Sequence, residues 1–311
     1  MAIANTQGIG RSSQRRISCT VTALVLGASP FVDAAEKQTA QMPTAQRSSG
    51  GKHFLWEITD AKAPVYLLGS IHAMRRADYP LPRVIESAIR ESQQFYFEWD
   101  FDQGPVFQRK VRAAASYPRG VRLRDKISPE LYDYLSVYSG GQMREWDRLK
   151  PWAISMYLVR RPRLQGIEPY LGIDGYVYRK AKMMRRPVYG LATVEEHLAV
   201  MSDMSDVEGE VYLRQALAFA HKKPANLREA IAAWKVGDTE RVDALTMPRN
   251  EDAPRLNQRL NDDRNVRWMP RIEGAIDSGK STMIVAGAIH FSGPADLVSL
   301  LRARGYTVEQ L

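Results

Sequence analysis

Val65-Tyr66-Leu67-Leu68-Gly69-Ser70-Ile71-His72 reads as a buried strand that runs into a glycine and delivers a histidine three residues on. The same order returns near the other end of the chain, in Met283-Ile284-Val285-Ala286-Gly287-Ala288-Ile289-His290. Each apolar run is short, bounded by turn residues and rich in β-formers, as a core strand is. Each histidine stands ahead of a segment that a proline opens as a helix. In open α/β sheets, ligands bind just outside the carboxyl ends of the strands. The repeated unit therefore predicts an α/β protein with its candidate site at strand ends.

Working outward, Phe54-Leu55-Trp56-Glu57-Ile58 is a second β-rich run. Asp60-Ala61-Lys62-Ala63-Pro64 separates it from residues 65–69, so the pair predicts a hairpin. A helix is expected over 82–92, with Val84, Ile85, Ala88 and Ile89 on one face, and Phe95-Tyr96-Phe97 opens a third strand. Residues 102–161 read as mostly helical, with Ser128-Pro129-Glu130 as a cap followed by a first-turn proline. Further helices are expected over 174–184, 195–220 (broken near 202–206), 227–236 and 239–245, with a short strand at 187–190. A long helix over 252–278 places Leu256, Leu260, Trp268, Ile272 and Ile276 on one stripe, and Pro270 should kink or interrupt it. A strand at 283–287, a helix at 294–302 and a strand at 306–308 close the chain. Strands at both ends with helices between predict one α/β domain: a mixed central sheet, flanking helices, a largely helical middle region and pseudo-symmetric Gly-x-x-His halves.

Bulk composition, 44% hydrophobic and 25% charged over 311 residues, is that of a globular protein. The first segment differs. Arg11, Arg15 and Arg16 precede an uncharged run over 17–32, the pattern of a secretory signal spanning 1–34. Residues 35–52 read as a flexible linker and 53–311 as the folded domain. The expected location is periplasmic or secreted, without a transmembrane segment in the mature chain, because the apolar run is shorter than the roughly 20 residues that span a bilayer. Cys19 is the single cysteine and lies in the signal, which removes disulfides, Cys-ligated zinc and thiol nucleophiles from the mature protein. The net charge is +9, but the cations are dispersed, with no basic stripe carrying aromatics, so nucleic-acid binding is not expected.

The five histidines are His53, His72, His197, His221 and His290. Imidazole supplies a neutral nitrogen ligand or a base working near neutral pH, and His72 and His290 share the strand-end context. Gly69 and Gly287 let the backbone approach a ligand closely or turn sharply. Glu98 follows three aromatic residues, and a buried charge is costly unless paired or metal-bound; it reads as a metal ligand or a general base, with Asp100 as the alternate. Arg264 lies midway between Leu260 and Trp268 on the apolar stripe, which predicts a buried guanidinium meeting a carboxylate, Glu98 above all, or an anionic intermediate. Asn265 is its neighbour. His197 sits on an exposed-looking helix, His221 looks like a helix C-terminus, and His53 precedes the first strand. No Gly-x-Ser-x-Gly elbow, His-Glu-x-x-His, phosphate loop or dinucleotide fingerprint occurs.

On these residues the chain resembles the TraB/GumN family, also named with PrgY. The resemblance runs from about Phe54 to the C-terminus. It rests on Phe54-Leu55-Trp56, Gly69-Ser70-Ile71-His72, Phe97-Glu98-Trp99-Asp100, Gly172-Ile173-Asp174, Pro187-Val188-Tyr189-Gly190-Leu191, Arg264-Asn265 and Gly287-Ala288-Ile289-His290. It implies a mixed α/β fold with paired Gly-x-x-His motifs. Through the Tiki proteases it also implies metal-dependent peptidase chemistry with manganese or cobalt. The family looks distantly related to erythromycin esterases and to a haem-binding lipoprotein group. His72, Glu98 and His290 match the motif positions, and Arg264 matches the arginine of the Arg-Asn pair. Ser70, Ala288 and Ala192 depart from the family pattern; at Ala192 a glutamate is common.

The expectation is an exported metal-dependent hydrolase of a peptide or small-molecule substrate. His72, Glu98 and His290 would hold manganese, cobalt or zinc, and Arg264 would oppose a developing oxyanion. One rival is a non-catalytic envelope protein that captures haem or a polymer end. Another is a metal-independent esterase, with a histidine base oriented by Glu98. Haem uptake or resistance to chelation separates them.

Overall fold

A computed structural model of the chain describes residues 51–160, 167–168, 171–246 and 254–311. The expected signal segment and almost all of the linker lie outside the described residues. The strands are β1 (Leu55–Ile58), β2 (Val65–Ser70), β3 (Met74–Arg75), β4 (Gln94–Trp99), β5 (Ile167–Glu168), β6 (Val188–Ala192), β7 (Thr282–Gly287) and β8 (Val308–Gln310). Six of them form one sheet in the order β6-β4-β7-β2-β1-β8, and β3 pairs with β5 in a small ribbon. The predicted hairpin is present, with Leu55 opposite Leu68 and Ile58 opposite Val65. β1 also pairs antiparallel with β8, whereas β2, β7, β4 and β6 run parallel. The sheet is therefore mixed.

Every residue of β2 and β7 is buried. Strands covered on both faces need continuous apolar runs rather than alternation, which is why these two stretches stood out. Parallel register sets Ser70 opposite Gly287, Phe97 opposite Val285 and Trp99 opposite Ala192. The carboxyl ends of four neighbouring strands thus open at one edge.

Two apolar clusters hold the molecule. One covers the sheet and includes Leu67, Phe95, Phe97, Ile284, Trp268 and Ile272; the other is helical, around Leu123, Leu135, Trp146, Trp152, Ile154 and Leu213. The helix Asp206–Lys235 joins them, with Leu213 and Leu217 in the helical cluster and Ile231 and Trp234 in the sheet core. Ser205 and Glu208 close its first turn with a reciprocal capping box. The expected break before residue 227 is absent: the helix continues, and His221 lies inside it rather than at its end, its Nε2 hydrogen-bonded to the Tyr134 hydroxyl.

The long C-terminal helix also differs from expectation. It does not break at Pro270, which sits inside the helix Asp263–Asp277. Pro270 and Val266, four residues earlier, are both exposed, so a carbonyl freed by the missing N–H meets water. The interruption is a π-helical turn at Gln258–Asp262, a feature frequent at functional sites. Among the described residues, no helix is long and apolar enough to cross a membrane.

Candidate active site

Glu98 reaches the open edge of the sheet from the end of β4. Its Oε1 accepts the backbone N–H of Gly287 at 2.8 Å, and its Oε2 accepts from Arg264 Nη2 at 2.5 Å. The Glu98 and Arg264 side chains are only 13% and 10% exposed, so this pair is desolvated. Burial alone would raise the carboxyl's pKa, but the Arg264 charge outweighs it and holds Glu98 well below the usual carboxylate range. Glu98 is a standing negative charge.

Arg264 is fixed from several directions. Nη1 donates to Leu260 O at 3.3 Å, a carbonyl of the π turn, and lies 3.2 Å from His290 Nε2. Nη2 also lies 3.2 Å from His197 Nδ1, and the guanidinium carbon sits 4.6 Å from the centre of the Trp268 ring, a cation–π distance. The stripe position that predicted a buried arginine gives the observed partner, Glu98.

His290 is carried by a 3₁₀ turn, Ala288–Phe291, directly after β7, and its side chain is 1% exposed. Asn265 Nδ2 donates to His290 O and to Ala295 O, which leaves its Oδ1 facing His290 Nδ1 at 2.7 Å. Nδ1 therefore carries the proton, and Nε2 presents a lone pair toward Arg264. Burial first, then the Arg264 charge, pushes the imidazole pKa down to about 3, so His290 is neutral at any ordinary pH.

His72 stands on the rim, with its side chain 67% exposed and Nδ1 3.2 Å from Asp174 Oδ2. Asp174 lies in the first turn of the helix Ile173–Met183. That helix start abuts the His72 loop because Gly172 has no side chain: a Cβ there would sit 2.7 Å from His72 O. A Cβ on Gly287 would come within 3.2 Å of Glu98 Oε1 and 3.6 Å of His72 Nε2. Gly287 thus keeps open the space between the two Gly-x-x-His units, and the predicted residues His72, Glu98, Arg264 and His290 gather around it. Gly69 does not reach this space. A Cβ there would clash with the Phe54 ring, and its carbonyl accepts from Trp234 Nε1; it is a packing glycine rather than a ligand-facing one. The two motifs are thus alike in strand context and unlike in environment.

Two residues escaped the sequence reading. His197 is not on an outward face: it stacks on Trp99 at 5.8 Å between ring centres and meets Arg264. Asp174 was visible only as part of a motif without a role. Among the described residues, no three His, Cys, Asp or Glu side chains are grouped as a metal's ligands must be. The Arg264 guanidinium, in contact with both Glu98 and His290, stands where their donor atoms face each other.

Two Gly-x-x-His units on adjacent parallel strands, facing an arginine-clamped glutamate at one sheet edge, define an α/β protein of the paired-histidine type. The family model described as TraB/PrgY/gumN matches residues 54–310, and the chain belongs to that family. It is 25% identical over 260 residues to the uncharacterized protein YbaP of Escherichia coli, covering 81% of this chain and 94% of that one. It is 24% identical over 314 residues to a protein named metalloprotease TIKI1 in Danio rerio, covering 82% of this chain and 62% of that one. An uncharacterized protein of Treponema pallidum is 22% identical over 277 residues, covering 81% of each chain. No solved structure matches.

Proposed function

We propose that this protein is an exported hydrolase that uses a divalent cation, with peptide bonds as the first substrate class to test. The observation that carries the reading is Glu98: a carboxylate held ionised at the ends of parallel strands, beside imidazoles whose tautomers are already set. The donor types are those of a divalent-cation site, but an ion would enter between Glu98 and His290 only if the Arg264 guanidinium moved aside. His290 presents an Nε2 lone pair because Asn265 holds its Nδ1 proton, and Asp174 on His72 Nδ1 is the carboxylate support that metal-binding histidines commonly have. His72, Glu98 and His290 would hold the ion, with manganese, cobalt and zinc as candidates. A bound cation would supply Lewis acidity and lower the pKa of water to about 7, as zinc does.

The protein's own groups do the rest. Arg264 keeps Glu98 charged and, with Leu260 O and Trp268, fixes its position. Gly287 leaves room at the reacting position. In the hydrolysis, the oxygen of water bonds to the carbonyl carbon, the C–N bond breaks, and the leaving nitrogen takes up the proton that the water loses. The family membership and the likeness to a protein named as a metalloprotease support this reading.

The His72–Asp174 contact favours a second reading. A histidine with a carboxylate on Nδ1 and Nε2 toward the site is the arrangement of a general base, so metal-independent hydrolysis would run on His72 oriented by Asp174, not by Glu98. A panel of peptides and activated esters, assayed with each cation and after exhaustive chelation, separates the two. Activity restored only by a cation supports the lead; activity indifferent to chelation supports the second; none under any condition contradicts both.

A further inference from the structure

With its proton held on Nδ1 by Asn265, the His290 ring has one lone pair left, on Nε2. Arg264 Nη1 stands 3.2 Å from that nitrogen, and Nη2 donates to Glu98 Oε2 at 2.5 Å. A guanidinium carries donors only, so it uses the His290 lone pair and a carboxylate oxygen as acceptors. A divalent cation would need the same electrons. The framework has the span for one: Glu98 Oε1 and His290 Nε2 are 3.7 Å apart, and two ligands each about 2.1 Å from one ion stand at most about 4 Å apart. The guanidinium and an ion therefore exclude each other at the His290 nitrogen, by chemistry as well as by space. Two further acceptors of Arg264 lie outside the cation's ligand set. They are Leu260 O, 3.3 Å from Nη1 in the π turn, and His197 Nδ1, 3.2 Å from Nη2.

We propose that Arg264 is a built-in competitor for the cation: its guanidinium closes the seat between Glu98 and His290 in the cation-free protein, and the ion binds by displacing it onto Leu260 O and His197. The inference rests on the cation-dependent reading given above. An apparent affinity falls with the fraction of molecules whose site is open, so Arg264 sets the concentration at which the ion loads. Before loading, the arginine spares Glu98 from being a buried charge without a partner. The ion takes over that neutralisation as the guanidinium leaves. Loading and release of Arg264 are then one event, and the guanidinium becomes available to an anionic intermediate only in a loaded site.

The test titrates manganese, cobalt and zinc separately into the full mature chain by calorimetry, for the wild type, Arg264→Lys and Arg264→Ala. Removing one partner of a buried pair is costly because the other charge is left alone, and an entering cation relieves that cost. Arg264→Ala should bind its best cation about 100-fold more tightly than the wild type does, and the added cation should raise its Tm more. Arg264→Lys, which lacks the planar fork, should gain about 10-fold; it decides the matter if the alanine variant does not fold. Guanidinium chloride at millimolar concentration, far below denaturing levels, should refill the space in Arg264→Ala. It should return the affinity of that variant toward the wild-type value and leave the wild type unaffected. A wild type that binds a cation, with variants that bind it no more tightly, overturns this inference alone, as does a gain that guanidinium leaves untouched. Cation binding by neither the wild type nor the variants overturns the cation-dependent reading and this inference with it.

Discussion

Asn265 Oδ1 and His290 Nδ1 stand 2.7 Å apart, both side chains buried, and the amide is held in that orientation by its two donor bonds to His290 O and Ala295 O. This contact decides which imidazole nitrogen faces the site. Replacing Asn265 by leucine removes the acceptor and leaves Nδ1–H and two carbonyls unsatisfied, at about 1–3 kcal/mol for each orphaned group. The expected outcome is a marked loss of stability, with a mixture of His290 tautomers by ¹⁵N NMR where the wild type shows only the Nδ1–H form.

The two motif glycines should respond differently to alanine. At Gly69 the new Cβ would meet the Phe54 ring at 2.2 Å, so Gly69→Ala is an overpacking change costing about 1–3 kcal/mol. At Gly287 the Cβ would meet a carboxylate oxygen at 3.2 Å and an imidazole nitrogen at 3.6 Å. Gly287→Ala should fold nearly normally and lose activity and ligand binding. Denaturation curves and turnover measured on both variants check the contrast.

Breaking the Glu98–Arg264 pair from one side strands a charge with little solvent. Removing one partner of a buried pair costs about 3–5 kcal/mol, and replacing both often costs far less. Glu98→Gln and Arg264→Leu should each destabilise strongly, and the double variant should be more stable than the sum of the two predicts. A double-mutant cycle by urea unfolding measures the coupling; strict additivity would contradict the pairing.

Asp78 predicts an acid-sensitive joint outside the Glu98–Arg264–His290 cluster. Its side chain is 1% exposed and bonds Arg75 and, at 2.6 Å, Lys235 Nζ near the end of the helix that links the two clusters. Burial pushes its pKa up, but the bonds to Arg75 and Lys235 win and bring it down to about 2. A carboxyl whose folded pKa is depressed contributes stability above its unfolded value, near 3.8, and loses that contribution as pH falls toward 2. The wild type should therefore lose about 2 kcal/mol more than Asp78→Asn over that window, as measured by unfolding at pH 5 and pH 2.

Much of this was legible in sequence because the signals were local. β2 and β7 announce themselves as continuous apolar runs, Glu98 by the aromatics before it, and Arg264 by its place on an apolar stripe. What was missed depends on long-range geometry. His197 follows two glutamates and looked exposed, yet Glu195 pairs with Lys110 and Glu196 with Arg271 and its own helix cap, leaving the histidine turned toward Trp99 and Arg264. Asp174 meets His72 across 102 residues, and no local pattern encodes that. The π turn at Gln258–Asp262 leaves no periodic mark, whereas Pro270 does and misdirected the expected break. Gly69 and Gly287 looked equivalent by strand context; only tertiary packing separates them.

If His72, Glu98 and His290 serve a cation-dependent hydrolytic site, the protein must bind a divalent cation through them. Metal content of the purified mature protein, by mass spectrometry, tests it most directly when wild type is compared with a His72→Ala, His290→Ala double variant. Near-stoichiometric manganese, cobalt or zinc is expected in the wild type, and its loss in a variant that remains folded. A wild type that takes up none of these cations on reconstitution, or a double variant that retains the metal, would contradict it.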